Sequence, residues 1–482
     1  MHRTLASLLV AGLGLVAQTT LLAAQQQQGA NAGRLELTSS SDIAKREFQQ
    51  LIFEFTNLRP ARARQHALDA LAADPNAGLV RAYFAFAGIS PQLTAAERAA
   101  EASRGLAALG SASVPEVLLA LYVRESSAGR GAAARPVLKA LAELLPNDAY
   151  IAFSVFQTER AGRSPEDLVR TERELLAKFP DYAIGYNQYA YDLHFAGQHD
   201  EEIVAVRRYA QLAPTQPNPH DTWSDLLIMH GRLDDAIGHA QATMKLDSTW
   251  TAGYLKVGAI ELARGRADSA RAWFARAEAA SQTPAARGDA RHWVAASHAA
   301  QRNAKMAIQE LTAIAQQTAA DNAPPAARAL PHQRMAVIEA MIGNQKNAAA
   351  HLEHARAAGG SALTQAWHAA IALAAMKDTA AARARAEEVA SAQGVNAAIA
   401  ATLTAFVAAA AGNYALAEQS LARSAPTDLL AKAVRAEILK SQGRKEEAQA
   451  LRAEVMRAAV KLDNNPQVDF LKLVARMRVE RQ

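Results

Sequence analysis

Apolar positions along the chain recur at helical intervals inside short blocks, clearly so between Tyr182 and Ala277. There Tyr186, Tyr189, Ala190 and Leu193 fall at i, i+3, i+4 and i+7, which puts them on one face of an amphipathic helix. Gly197, Gly231 and Gly265 follow at intervals of 34 residues, each closing one such helix and opening the next. A glycine there suits a left-handed helix end, a conformation it adopts cheaply. The pattern predicts tandem helical hairpins. If the glycine ends the first helix of a hairpin, the residue five further on must be small, because the second helix crosses close by. Ala134, Ala236, Ala270, Ala348, Ala417 and Ala448 stand at that offset from Gly129, Gly231, Gly265, Gly343, Gly412 and Gly443; Asp167 after Gly162 and Glu202 after Gly197 depart from it.

The cleanest unit, Thr251 to Thr283, carries Tyr254, Val257, Gly258, Gly265, Ala270, Phe274 and Ala277, and its predecessor carries Trp223, Leu227, Gly231, Ala236 and Ala240. In residue type and spacing both resemble the tetratricopeptide repeat. The resemblance implies an all-α superhelical solenoid whose first helices line a concave surface, and a chain that binds protein or peptide rather than catalyses. The 417 residues from Ala44 to Val460, at 34 per unit, make about twelve hairpins.

Earlier and later stretches complete the division. Met1 to Ala24 has a short basic start (His2, Arg3) and an apolar run from Leu5 to Val16, and reads as a secretory signal peptide; residues 25–41, opening with a Gln-rich run, read as a flexible linker. Ser41 and Asp42 offer caps to the first helix, Asp74-Pro75-Asn76 a turn after the second, and Thr94 with Glu97 a capping box. Gly265 to Gly343 spans 78 residues, ten more than two periods, and Thr318 to Pro325 is the expected place of an insertion. The array is accordingly divided into residues 42–284 and 285–465. Val468, Leu471, Val474 and Met477 predict a capping helix over residues 466–482.

Composition narrows the chemistry. Half of the residues are apolar but only 6% aromatic, which suits close-packed helices. The net charge is +5, yet no run of five or more basic residues occurs, so nucleic acid is not an expected partner. With no cysteine, disulfides, thiol nucleophiles and thiolate metal sites drop out. No phosphate loop, HExxH, GxSxG or dinucleotide fingerprint is present, and no catalytic residue or cofactor is expected. His351 and His354 share a helix face at i and i+3 but lack a third ligand at matching spacing, so no metal site is expected. His194, His199, His220, His230 and His239 crowd two units and read chiefly as helix-end and turn residues, with pH-dependent binding the sharper alternative.

Two function classes follow: an exported adaptor, periplasmic or extracellular, that holds an extended peptide or protein, and an accessory subunit of an envelope enzyme, secretion or polymer-export complex. Membrane attachment is expected only through an uncleaved signal anchor. Helix positions that hairpin packing leaves unused define the partner-binding stripe: Phe156 and Glu159, then Asn187, Tyr191 and His194, then Asp221, Asp225 and Ile228, and finally Leu255. Its aromatic and acidic character predicts a partner segment carrying Lys or Arg beside an apolar side chain. The Lys and Asn that would clamp a C-terminal carboxylate in tetratricopeptide repeats are not matched here.

Overall fold

The structure, a computed structural model, describes residues 34–86, 88–90, 93–392, 395–424, 428–458, 474–475 and 478–479. The expected signal peptide and the first part of the linker lie outside them. Among the described residues the regular structure is entirely helical: 24 α-helices, which pair into twelve hairpins, and one short 3-10 turn. They belong to two compact units that meet in sequence at Pro214 and Thr215.

In the first unit the helices are α1 (Asp42–Thr56), α2 (Pro60–Ala73), α3 (Gly78–Ala82, running into the 3-10 turn), α4 (Ala95–Ala107), α5 (Val114–Ser127), α6 (Gly131–Leu144), α7 (Ala149–Thr158), α8 (Pro165–Lys178), α9 (Ala183–Phe195) and α10 (His199–Leu212). The second comprises α11 (Asn218–Met229), α12 (Leu233–Leu246), α13 (Thr251–Ala263), α14 (Ala267–Ala280), α15 (Pro284–Ala300), α16 (Ala304–Ala320), α17 (Pro325–Ile342), α18 (Gln345–Ala358), α19 (Ala362–Ala375), α20 (Thr379–Ser391), α21 (Ala397–Ala410), α22 (Tyr414–Leu421), α23 (Leu429–Ser441) and α24 (Lys445–Ala458). Each unit is an all-α solenoid, in which most helices pack on their hairpin partner and on the neighbouring hairpin.

The turn chemistry explains the period. All eight ruler glycines sit at left-handed φ between 73° and 91°. The six alanines five residues beyond them are buried, where helices cross too closely for a larger side chain. In the most regular hairpin the close approach is also made by a glycine: a Cβ on Gly258 would meet the Phe274 ring, with Cδ1 only 2.7 Å away.

Three further turns use no glycine. Leu58, Arg302 and Lys377 take left-handed φ of 60°, 63° and 66°, and Ala63, Ala307 and Ala382, five residues on in each case, are fully buried. Arg302 also relocates the ten-residue excess between Gly265 and Gly343. No loop is inserted at Thr318–Pro325: α16 ends at Ala320 and α17 begins at Pro325. The extra length lies in α15, α16 and α17, of 17, 17 and 18 residues, against 13 and 14 in the hairpin before them. Pro325 opens a helix rather than breaking one, since the first turn has no use for its missing N–H.

Local caps fall where expected. Ser41 Oγ accepts from Ala44 N at 3.2 Å, and Thr94 and Glu97 form the reciprocal capping box. Residues 34–41 differ from the expected tether, because Leu35 and Leu37 are buried in the core of the first unit. Leu35 N donates to Asp148 Oδ2 at 2.8 Å and Thr38 N to Glu116 Oε1 at 2.8 Å, which pins this extended stretch to later hairpins. Of the expected cap, Val468, Leu471 and Met477 lie outside the described residues; Val474 is fully buried in one cluster with Val434 and Val455. Among the described residues no helix is long and apolar enough to cross a membrane.

Candidate functional site

The stripe lies on the first helices of successive hairpins, and within each unit its polar members are tied to the hairpin framework. In the first unit Phe156 of α7 is 3% exposed, with the guanidinium groups of Arg160 and Arg163 over its ring at 5.2 and 5.8 Å. Glu159 is half-buried and meets Lys139 Nζ at 2.6 Å. Asn187, Tyr191 and His194 are half-buried on α9.

Behind them Arg160 reaches across to α9 and donates to both oxygens of Asp192, each at 2.7 Å, a bidentate pair that fixes how α7 sits against α9. Arg160 also lies 3.5 Å from Glu172 of α8, whose side chain is fully buried. Burial, with a shared hydrogen bond to Asp192 and that group's negative charge, pushes the Glu172 carboxyl up to about 10, outweighing the pull of Arg160. Glu172 is therefore a neutral acid at physiological pH.

That state has a stability consequence. The raised value means that the folded chain holds a proton the unfolded chain releases above the ordinary 4.5. The stabilisation is complete below pH 4.5 and is lost progressively as pH rises toward 10. Glu172→Gln keeps the hydrogen-bonding shape without the titration. The wild-type melting temperature should fall between pH 6 and 9 by at least about 3 °C more than that of the variant, the size of about 1 kcal/mol for a domain of this length. Parallel melting curves for the two proteins would refute the assignment.

In the second unit the two expected acidic residues are bridged by a cation of the chain itself. Lys256 Nζ of α13 lies 2.6 Å from Asp221 Oδ1 and 2.9 Å from Asp225 Oδ1 of α11, and donates to the Asp221 carbonyl at 2.8 Å. Lys256 is 4% and Asp225 7% exposed, so the cation that these acids hold is the chain's own. Ile228 is buried with Leu227 and Ile260, and Leu255 packs against the Phe274 and Trp293 cluster. In the sequence the only trace of this triad is Lys256, a charge between the apolar Leu255 and Val257. Arg160, Glu172 and Asp192 carried no signal that hairpin periodicity reads.

The crowded histidines resolve into framework contacts. His194 and His199 bring Nδ1 to 3.2 and 3.0 Å from the buried Glu202 carboxylate, so this departure from the small-residue rule is an acid covered by two imidazoles. His220 and His239 place their Nδ1 atoms 2.9 Å apart, with Trp223 stacked on His239 at 4.4 Å. Burial and then the facing His220 lower His239 to about 4. His230 is the C-terminal cap residue of α11. The set-aside pair His351 and His354 on α18 does meet a third histidine, His332 of α17, which spacing within one helix could not reveal.

No protein-family model and no curated protein sequence matches the chain. Among solved structures it is similar to a tetratricopeptide repeat protein from Parabacteroides merdae, with 12% identity, 61% of this chain and 98% of that one covered and a TM-score of 0.36. It is also similar to the APC/C hetero-tetramer Cut9–Hcn1, with 14% identity, 91% and 80% covered and a TM-score of 0.42. A third, the human IFIT1 dimer with m7Gppp-AAAA, gives 11% identity, 88% and 91% covered and a TM-score of 0.41. Values this low leave ligand and activity to be argued from the chain's own residues. The class that its own fold defines is a tandem helical-hairpin repeat protein.

Proposed function

We propose that the chain is a non-enzymatic scaffold that holds an extended peptide or protein segment along the first helices of its hairpins. The observation that carries this reading is the register: left-handed turns recur at a near-constant interval between paired helices, and within a unit a repeat of that kind aligns equivalent first-helix positions, the arrangement by which solenoids present continuous binding surfaces. The chemistry of that face differs from the sequence expectation. Asp221 and Asp225 are occupied by Lys256, so they do not supply the attraction for a partner's cation. Contact instead centres on Tyr191 and Asn187, half-buried on α9, where an aromatic face and an amide suit an extended backbone. The signal-like segment Met1 to Ala24 supports export, with the partner in the periplasm or outside the cell.

The test compares wild type with Tyr191→Ala/Asn187→Ala for capture of proteins from the native envelope fraction, with circular dichroism confirming that the variant is folded. Loss of a stoichiometric partner from the folded variant is the expected result. Capture unchanged in partner and yield would remove this face from consideration.

A further inference from the structure

Helices α17 and α18 cross at a cluster of three imidazoles: His332 from the first helix, His351 and His354 from the second. One ring nitrogen from each lies within 4.8 Å of the other two, and the Nδ1 atoms of His332 and His351 are 3.3 Å apart. Two donors bound at 2.0–2.1 Å to one tetrahedral ion sit about 3.3–3.4 Å from each other, so that pair already has the bite of a zinc chelate. The third ring arrives from one turn further along α18, its centroid 5.1 Å from His332 and 6.1 Å from His351. His332 and His351 are half-buried and His354 is exposed, which leaves one side of the cluster open to water.

The position is a recurrent feature of the hairpins. Counted from the left-handed turn residue, His332 stands eleven before Gly343, and His351 and His354 stand eight and eleven after it. The same three places around Gly231 hold His220, His239 and Ala242. That hairpin keeps the close pair, with Nδ1 atoms 2.9 Å apart, but has a methyl where the third donor would be. Around Leu58 they hold Glu47, His66 and Asp69, with His66 Nδ1 2.7 Å from the Glu47 carboxylate. The fold thus brings the same three positions of a hairpin together whatever occupies them, and the hairpin of α17 and α18 fills all three with imidazole.

We propose that His332, His351 and His354 form a binding site for a divalent first-row transition ion, Zn²⁺ foremost. Three neutral imidazoles and an open fourth position taken by water match the ligand preference of Zn²⁺ better than that of Ca²⁺ or Mg²⁺, which prefer oxygen. Bound there, the ion clips α17 to α18 and raises the stability of that hairpin by mass action.

The experiment strips the full chain with EDTA and titrates it with CoCl₂, read by the visible absorption of four-coordinate Co²⁺, then displaces the cobalt with ZnCl₂. One Co²⁺ per chain with tetrahedral-type bands, displaced by Zn²⁺, is the expected result. His354→Ala removes an exposed ring and should melt like wild type in EDTA while binding Co²⁺ at least tenfold more weakly, a loss that even outer-sphere partners of metal ligands reach. His199→Ala, which alters the imidazoles over Glu202, should leave the cobalt spectrum unchanged. Absence of tetrahedral bands in the wild type, or equal Co²⁺ affinity in a folded His354→Ala, would overturn the site.

Discussion

Lys256→Ala is expected to destabilise the second unit by about 3–5 kcal/mol, the usual cost of removing one partner of a buried charge pair. The loss arises because Asp221 and Asp225, within 2.9 Å of Nζ, keep their charges without the cation that offsets their desolvation. Burial alone would pull the Lys256 ammonium down, but the two carboxylates outweigh it and the value is raised above the ordinary 10.5. A lysine raised in the folded state contributes stability that is complete below 10.5 and is lost only as pH climbs through the raised value. The full effect is therefore present at neutral pH. Urea denaturation followed by circular dichroism measures it, and a loss below about 1 kcal/mol, the range of exposed pairs, would mean that the triad is solvated. The combined variant Lys256→Met/Asp221→Asn/Asp225→Asn should recover much of the stability, because no charge is then stranded. Asp225→Arg belongs with these stability variants, because it places a second cation beside Lys256.

Gly105→Ala should cost about 3 kcal/mol, the upper end of ordinary overpacking. In an exposed helix the same change is favourable by up to about 1 kcal/mol, since alanine is the better helix former. The sign reverses at Gly105 because α3 and α4 touch backbone to backbone: a Cβ there would meet Ala82 N at 2.6 Å and Gly78 O at 2.7 Å. Neither atom can rotate aside as a side chain does, so the helices must separate and the second hairpin loosens around Tyr83. Gly238→Ala is the control. Its Cβ meets nothing within 4 Å on α12, and it should stabilise. Thermal melts of the two variants decide the matter, and a neutral Gly105→Ala would show that the α3–α4 contact is open enough to admit a methyl.

For the same reason hairpin two leaves no glycine-to-alanine mark in the sequence. It replaces the ruler glycine by a short helix and a 3-10 turn, and its close contact uses two glycines inside helices, which periodicity counts only as weak helix formers. The other hairpins were legible wherever local chemistry set the geometry. A left-handed turn favours glycine, and a close crossing five residues later demands alanine, so both leave a mark at fixed spacing. Where Leu58, Arg302 and Lys377 accept the left-handed turn the glycine is missing, but Ala63, Ala307 and Ala382 still record the crossing.

The sequence by itself determined the all-helical hairpin architecture, its period, a count of about twelve and the crossings marked by a glycine and an alanine, because each of these follows from backbone conformation and side-chain volume within a few residues. Only the tertiary structure decided which charges meet. Asp221 and Asp225 looked like a surface waiting for a partner's cation, and Lys256 supplies it from the next hairpin; Arg160 finds Asp192, and His332 finds His351 and His354, in the same manner. Such pairings depend on how far a long side chain reaches across a helix interface and on which face each neighbour turns toward it, and helical period alone specifies neither.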